Sequence, residues 1–171
     1  MKKNILFLIL AFIISFVGVD DVFAASGKLT IISNVTSAAT NTKFNVYVTY
    51  TGDTLGSINM QTTFTNATCT LYAQADGFTR NCTTSGCKIV FEDYNTGYKS
   101  GTRFATFACT GTASPAKFSA SVINGDAWNF AGDTNVTVAS GNFSLPITNV
   151  TTTTKKTTTT KKPTTTTKKT T

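Results

Sequence analysis

Alternation of apolar and polar residues is the feature that most restricts how this chain can fold. In the stretch KFNVYVTY (residues 43–50), every even-numbered residue is apolar or aromatic. The stretch LGSINMQTTF (residues 55–64) has Ile58, Met60, Thr62 and Phe64 on one side and Asn59, Gln61 and Thr63 on the other. A period of two is that of a β-strand whose two faces meet different surroundings. Both stretches are therefore predicted to be strands with their even-numbered residues in a core.

Five further stretches share this β-type composition, which is rich in Thr, Val, Phe, Tyr and Ile. They are KLTIISNV, CKIVFEDY, TRFATFACT, AKFSASVI and NVTVASGNFSL. Turn sequences containing Gly, Asn or Asp separate them, and no stretch shows a convincing helical period. Phe107, Phe118 and Val122 are expected in the core. The pattern predicts an all-β fold, a single antiparallel β-sandwich of the jelly-roll type with about eight or nine strands.

The chain divides into three segments. Residues 1–24 combine two lysines, an apolar run from Ile5 to Val19 and the small residues around Phe23, which predicts a secretory signal peptide cleaved after Ala24. Residues 25–147 have the length of one domain, which buries roughly two thirds of its surface on folding. Residues 148–171 are rich in Thr and Lys and predict a disordered low-complexity linker or stalk. No other segment is apolar enough to span a membrane, so we expect a secreted chain.

Charge is distributed unevenly along the chain. The formal net charge is +7, but six of the lysines lie in the tail, and residues 25–147 hold seven basic and six acidic residues. Nucleic-acid binding requires a basic stripe on a folded face, so a nucleic-acid partner is not expected. The tail stops within a Thr/Lys repeat, which suggests that the chain is the N-terminal part of a longer protein.

Three stretches resemble strands of bacterial cohesin modules, over about residues 28–145. They are LGSINMQTTFTNATCTL, SGTRFATFACTG and SASVINGDAWNFAGDTNVTVASGNFSL. The resemblance extends to carbohydrate-binding modules that share the jelly-roll fold. It implies a non-catalytic recognition or adhesion module, outside the cell or on the bacterial surface, presented on the stalk. By the same resemblance, the partner surface is the flat sheet face carrying Asn59, Gln61 and Thr63, with Glu92 nearby.

The chain also departs from the cohesin pattern. Thr65 and Asn66 follow Phe64 where cohesins commonly have Asp-Pro, and disulfides are not typical of that family. The resemblance therefore supports the jelly-roll fold better than it supports a dockerin-binding role.

Four cysteines in a chain with a signal peptide predict two disulfides, for which three pairings are possible. Cys82 and Cys87 flank the turn-like sequence TTSG and can come close, which would leave Cys69 to pair with Cys109. A structural metal site is not expected, because the sequence has no Cys-x-x-Cys and no His.

The side chains needed for catalysis are scarce. Without His, the chain has no Ser-His or Cys-His nucleophile arrangement. Glu92 is the only Glu, and its neighbour Asp93 would point to the opposite face of a strand, so the two make a poor acid–base pair. We therefore do not expect an enzyme. Asp126 and Asp133 are candidates for binding Ca²⁺, which favours oxygen ligands, although Asp in such turn sequences usually bonds the local backbone. No cofactor is expected.

Aromatic residues that the strand pattern does not assign to the core are the other candidate site. They are Tyr47, Tyr94, Tyr98, Trp128 and Phe130. The sequence DAWNFAGD places two large rings in a polar, loop-like setting, where Trp128 either plugs one end of the sandwich or meets a ligand. Flat rings suit both sugars and protein partners. Two alternatives to a protein partner therefore remain, direct polysaccharide binding through Trp128, Phe130 and surface tyrosines, and a structural spacer in a longer envelope protein.

Overall fold

A computed structural model describes residues 25–149, so the predicted signal peptide and nearly all of the tail lie outside the described residues. The described residues form strands joined by turns and short loops. The strands are β1 (Ser26–Ser33), β2 (Ala38–Ala39), β3 (Lys43–Gly52), β4 (Leu55–Thr65), β5 (Ala67–Gln74), β6 (Phe78–Thr83), β7 (Gly86–Glu92), β8 (Arg103–Gly111), β9 (Ala116–Asn129), β10 (Thr137–Ala139), β11 (Gly141–Leu145) and β12 (Ile147–Thr148). No helix of membrane-spanning length and apolarity is found in this part of the chain.

Two five-stranded sheets face each other across the core. The first has the order β10-β1-β3-β8-β5 and the second the order β11-β9-β4-β7-β6, while β12 and β2 form a small separate ribbon. Neighbouring strands are antiparallel except in the pairs β1–β10 and β2–β12, which are parallel. The predicted all-β sandwich is confirmed. The described residues form twelve strands where about eight or nine were predicted, and three of the twelve, β2, β10 and β12, are very short.

The core is built from the inward-facing residues that the alternation predicts. All even-numbered residues of 44–50 and 58–64 are buried. Aromatic rings meet at its centre, with ring centroids 4.7 Å apart for Phe91 and Phe104 and 4.9 Å apart for Phe64 and Phe107. Burying each such ring contributes about 2–3 kcal/mol through the hydrophobic effect. Val122 is only half-buried, unlike the prediction, because β9 leaves its regular pairing directly after it.

Strands β5 and β6 were not among the predicted strands, for a physical reason. Each lies at the edge of its sheet and pairs on one side only. All of β6 after Phe78 is exposed, so its sequence shows no apolar alternation. β5 carries a bulge at Tyr72, which breaks its period. Edge strands of this kind are held by backbone pairing with a neighbour, which local sequence patterns do not reveal.

Both disulfides join residues that lie directly opposite each other on neighbouring strands. Cys69 on β5 faces Cys109 on β8, and Cys82 on β6 faces Cys87 on β7. The Cα atoms are 4.1 Å apart in each pair. The two predicted disulfides are therefore confirmed, and the open question of pairing is settled. The disulfides thus link the two edge strands, β5 and β6, to their neighbours β8 and β7.

Acidic residues are concentrated at one end of the sandwich. Within residues 25–149 they all lie in or near the connections β3–β4, β5–β6, β7–β8 and β9–β10, which meet at that end; they are Asp53, Asp76, Glu92, Asp93, Asp126 and Asp133. The described chain finishes at the opposite end, where Ile147 and Thr148 pair with β2.

Candidate functional site

The outward-facing residues of β9, β4, β7 and β6 form one continuous surface, which we call the polar face. Its members are Lys117, Ser119 and Ser121 on β9; Ser57, Asn59, Gln61, Thr63 and Thr65 on β4; Gly86, Lys88, Val90 and Glu92 on β7; and Thr79, Asn81 and Thr83 on β6. Four strands at the usual spacing make this face about 15 Å wide. The predicted outward direction of Asn59, Gln61 and Thr63 is confirmed.

Hydrogen bonds between neighbouring strands order the centre of the polar face. The hydroxyl oxygens of Thr63 and Ser119 lie 2.6 Å apart, and Gln61 Nε2 donates to the Ser121 hydroxyl at 3.3 Å. Next to this row, Gly86 has no side chain, and a Cβ atom there would lie 2.4 Å from the Thr62 carbonyl oxygen. The result is a shallow groove of about 300 Å³ beside Gln61 and Thr63. The surface is thus flat, hydrogen-bonding and largely uncharged.

Strand β9 makes an excursion beside Asn59. Four residues, Ile123–Asp126, stand between the positions that pair with Met60 and Ile58, whereas β4 has only Asn59 there. Asn124 and Gly125 take left-handed backbone conformations, with φ of 53° and 69°, which turns the chain out and back. The Asn135 side-chain amide donates to the Gly125 carbonyl oxygen at 2.7 Å and holds the excursion in place.

The sequence DAWNF is not the loop that we expected, because β9 resumes its pairing with β4 after the excursion and continues to Asn129. Trp128 lies opposite Ser57, and its side chain is 37% exposed on the polar face. The idea that Trp128 plugs the end of the sandwich is therefore wrong. Its Nε1 atom donates to Asp126 Oδ1 at 2.9 Å, while Asn59 Nδ2 donates to Asp126 Oδ2 at 3.4 Å.

The structure brings the two predicted sites together. Glu92 pairs with Ser57 from the β7 side, just as Trp128 does from the β9 side. The row Trp128–Ser57–Glu92 therefore continues the polar face beyond Asn59, Gln61 and Thr63. Polar and aromatic candidates, which the sequence suggested as alternatives, occupy one surface.

Tyr94 and Phe130 lie at the end of the sandwich beside this row. A Cβ atom on Gly56 would lie 2.3 Å from the Tyr94 ring, and one on Gly97 would lie 2.7 Å from the Phe130 ring. Both rings therefore pack directly on glycine backbone, yet they remain 49% and 40% exposed. Packing on the backbone thus places both rings while leaving them available for contact with a ligand.

Asp93 shapes the turn that carries Tyr94. Its carboxylate accepts hydrogen bonds from the Thr96 hydroxyl and from the backbone N–H groups of Asn95 and Thr96. These bonds, the Thr96 hydroxyl first, lower the pKa of Asp93 to about 2. Asp93 therefore serves as a turn-forming residue beside Glu92.

The other two unassigned tyrosines lie away from the polar face. Tyr47 points outward from the first sheet, where the Arg103 guanidinium carbon lies 4.3 Å from its ring centroid. Tyr98 is buried in the core, and its hydroxyl donates to the Asp76 carbonyl oxygen at 2.7 Å. Burial, and secondarily the nearby carboxylates, raises the pKa of Tyr98 to about 12.

The two calcium candidates have local hydrogen-bond partners. The Asp133 carboxylate accepts from Asn129 Nδ2 at 2.9 Å and from the Thr134 hydroxyl at 3.1 Å, which lowers its pKa. Asp126 accepts from Trp128 and Asn59, as described above. Within residues 25–149, no group of three or more His, Cys, Asp or Glu side chains is arranged to hold a metal ion.

Several residues of the polar face were missed by sequence analysis. Ser57, Lys88, Ser119 and Ser121 were not candidates, although each lies at an outward position of a strand that was predicted. The alternation of apolar and polar residues in KIVFE could have indicated that Lys88 faces outward. Nothing in the sequence indicated which strands are neighbours, so the composition of the whole face was not accessible.

Comparison with known proteins bears on the fold. No protein-family model matches the chain, and no curated protein matches it. Among solved structures, a cohesin of Clostridium acetobutylicum, CaCohA2, is similar with a TM-score of 0.53 and 17% identity, over 73% of this chain and 92% of that one. The fold is cohesin-like. This conclusion confirms the resemblance inferred from the strand motifs.

Two further structures have the same cohesin-like fold. A non-cellulosomal cohesin from the archaeon Archaeoglobus fulgidus has a TM-score of 0.50 and 19% identity, over 69% of this chain and 91% of that one. A type I cohesin–dockerin complex from Clostridium thermocellum has a TM-score of 0.52 and 8% identity, over 73% of this chain and 95% of that one. At these identities the likeness establishes the fold.

Proposed function

We propose that this chain is a non-catalytic recognition module that binds a protein partner through the polar face. The observation that carries the proposal is the regular row structure at the centre of that face, where Ser121, Gln61 and Lys88 and then Ser119, Thr63 and Gly86 lie side by side on three strands. The opposite sides of the same strands are buried in the core. A rigid, flat surface with many hydrogen-bonding groups suits a specific, polar protein contact.

Two further considerations support a protein partner outside the cell. The Clostridium thermocellum structure with the same fold is a complex with a dockerin, which is a protein. Disulfides persist mainly in oxidising, extracellular surroundings, and this domain has two. Together with the predicted signal peptide and the Thr/Lys-rich tail, they support a secreted or cell-surface module held on a stalk.

The test compares two threonines that are both exposed and both in strands. Thr63 lies on the polar face, whereas Thr70 lies on β5 of the other sheet. Purified wild-type chain, Thr63→Arg and Thr70→Arg are immobilised and exposed to secreted and surface proteins of the source organism, and in parallel to a type I dockerin. We expect a protein captured by the wild type and by Thr70→Arg but lost with Thr63→Arg.

Capture that is equal for all three proteins would contradict the proposal, because it would place the contact elsewhere. Retention of a protein by Thr63→Arg together with its loss by Thr70→Arg would move the interface to the first sheet. Circular dichroism of both variants checks that the added arginine leaves the sandwich folded.

Polysaccharide binding is a second candidate, favoured by the three exposed rings of Trp128, Tyr94 and Phe130 at one end of the sandwich. Aromatic rings provide the flat apolar contact that sugar faces require. Affinity electrophoresis on a panel of polysaccharides, with Trp128→Ala as the control, tests it. Retardation that this substitution abolishes supports a carbohydrate-binding module. A domain that is retarded by no polymer and captures no protein would be a spacer.

A further inference from the structure

The row Trp128–Ser57–Glu92 lies at one end of the polar face, and we call the surface over Ser57, between the two flanking side chains, the notch. Ser57 supplies the floor, and although its side chain points outward it is only 8% exposed, since larger residues stand on both sides. The backbones of Trp128 and Glu92 are two strand spacings apart, about 10 Å. The register therefore puts the Trp128 and Glu92 side chains on the same face, one on either side of Ser57.

The hydrogen bond of Trp128 determines which group of the indole is available to a ligand. Because Nε1 already donates to Asp126 Oδ1, the indole N–H is occupied. With the N–H satisfied, what the exposed ring can still offer a ligand is its π system, which attracts ammonium and guanidinium groups by the quadrupole of the ring. The same bond restrains the orientation of the ring.

Charge around the ring points to the same class of ligand. The exposed carboxylates of Glu92 and Asp126 lie on the two sides of the notch. The Lys88 side chain of the same face is four residues along β7 from Glu92, about 13 Å away. An aromatic surface between two carboxylates is complementary to a cation.

We propose that this notch receives a lysine or arginine side chain of the protein partner and so orients the partner along the polar face. The proposal rests on the proposed function, since it names the chemistry of the partner at one end of that interface. A cation there would contact the indole face and the carboxylates at once. A neutral sugar would gain the stacking contact but nothing from the two negative charges.

The experiment uses Trp128 itself, which is the only tryptophan in the chain. Its fluorescence is followed in the purified full chain during titration with hexalysine at low salt, and with a hexalysine in which every side chain is acetylated. We expect a saturable change with hexalysine and none with the acetylated peptide. Glu92→Gln is expected to weaken hexalysine binding about two- to fivefold, the size of an exposed cation–π or ion-pair contribution.

Asp76→Asn is the matched control, because Asp76 is an exposed carboxylate at the same end of the sandwich but outside the polar face. It should bind hexalysine like the wild type. Equal weakening by both variants would overturn the proposal, as it would show attraction to the acidic end as a whole. An equal response to the acetylated peptide, or a response only to oligosaccharides, would overturn it as well.

The outcome is independent of the capture test with Thr63→Arg. Hexalysine binding that depends on Glu92, combined with no loss of capture in Thr63→Arg, would leave the cation notch standing and remove the proposed interface. Capture that depends on Thr63, without a fluorescence response to hexalysine, would keep the interface and remove the notch.

Discussion

The Asp126 carboxylate accepts a hydrogen bond from Trp128 Nε1 at 2.9 Å, two residues away on the same strand. This bond exists because β9 turns out and back between Ile123 and Asp126 before it resumes pairing with β4. The excursion thus places a carboxylate beside the indole, whose ring stays partly exposed on the polar face.

Removing the carboxylate should free the indole. In Asp126→Ala we expect lower fluorescence anisotropy of Trp128, because its N–H loses the partner that restrains the ring. We expect the free energy of unfolding to fall by no more than about 1 kcal/mol, since the bond is exposed to water. Asp133→Ala is the control, because its carboxylate bonds Asn129 and Thr134. Unchanged anisotropy in Asp126→Ala would show that packing alone holds the ring.

The two disulfides should contribute unequally to stability. Cys69–Cys109 closes a sequence separation of 40 residues and Cys82–Cys87 one of 5. The chain-entropy model gives about 4 kcal/mol for the first and about 2 kcal/mol for the second. Replacing each pair with alanines and measuring urea unfolding tests this order. A larger loss from the short loop would mean that strain or residual structure outweighs loop entropy.

Truncating a phenylalanine should lower the free energy of unfolding more in the core than at the surface. Phe91→Ala removes a fully buried ring that packs on Phe104, and we expect a loss of about 3–5 kcal/mol. Phe130→Ala removes a ring that is 40% exposed, and we expect a loss nearer 1 kcal/mol. Thermal and urea unfolding of both variants measures the difference. Similar losses would contradict the assignment of Phe130 to the exposed end of the sandwich.

Stability should fall at high pH through two buried tyrosines. Burial raises the pKa of both Tyr50 and Tyr98 from 10 to about 12, because the phenolate is disfavoured in the core. The unfolded chain then loses these protons before the folded one, so the stability contribution is complete below pH 10 and is lost as the pH rises from 10 to about 12. Urea unfolding of the wild type across this range should show the decline.

Tyr98→Phe provides the comparison for the pH prediction. This variant lacks the hydroxyl that donates to the Asp76 carbonyl oxygen, so it should be less stable at neutral pH and lose less stability between pH 10 and 12. A pH dependence identical to that of the wild type would exclude Tyr98 as a contributor.

The strands with one buried face were predictable, as 43–50 and 55–64 show. Each alternates because one side meets the core and the other does not, so a local pattern carries the information. Asn59, Gln61 and Thr63 were correctly placed outward for that reason. Edge strand β6 was not predictable in this way, because its side chains are exposed and its pairing with β7 leaves no period in the sequence.

The position of Trp128 was beyond sequence analysis. The turn sequences that separate the predicted strands include Asn124 and Gly125, and both residues take left-handed conformations in the structure. The sequence did not show that β9 returns to the same partner strand after this turn, which is what moves Trp128 from an expected loop to the polar face.

By itself, the sequence determined the fold class and the sides on which the side chains of its regular strands lie, since these depend on residue types at a spacing of two. Only the tertiary structure decided which strands are neighbours and in what register. Trp128 and Glu92 are distant in the chain, yet they flank Ser57 because β4 lies between β9 and β7. Strand order and register are set by packing of the whole core, which rewards contacts between residues far apart in sequence and so cannot be read from any single stretch.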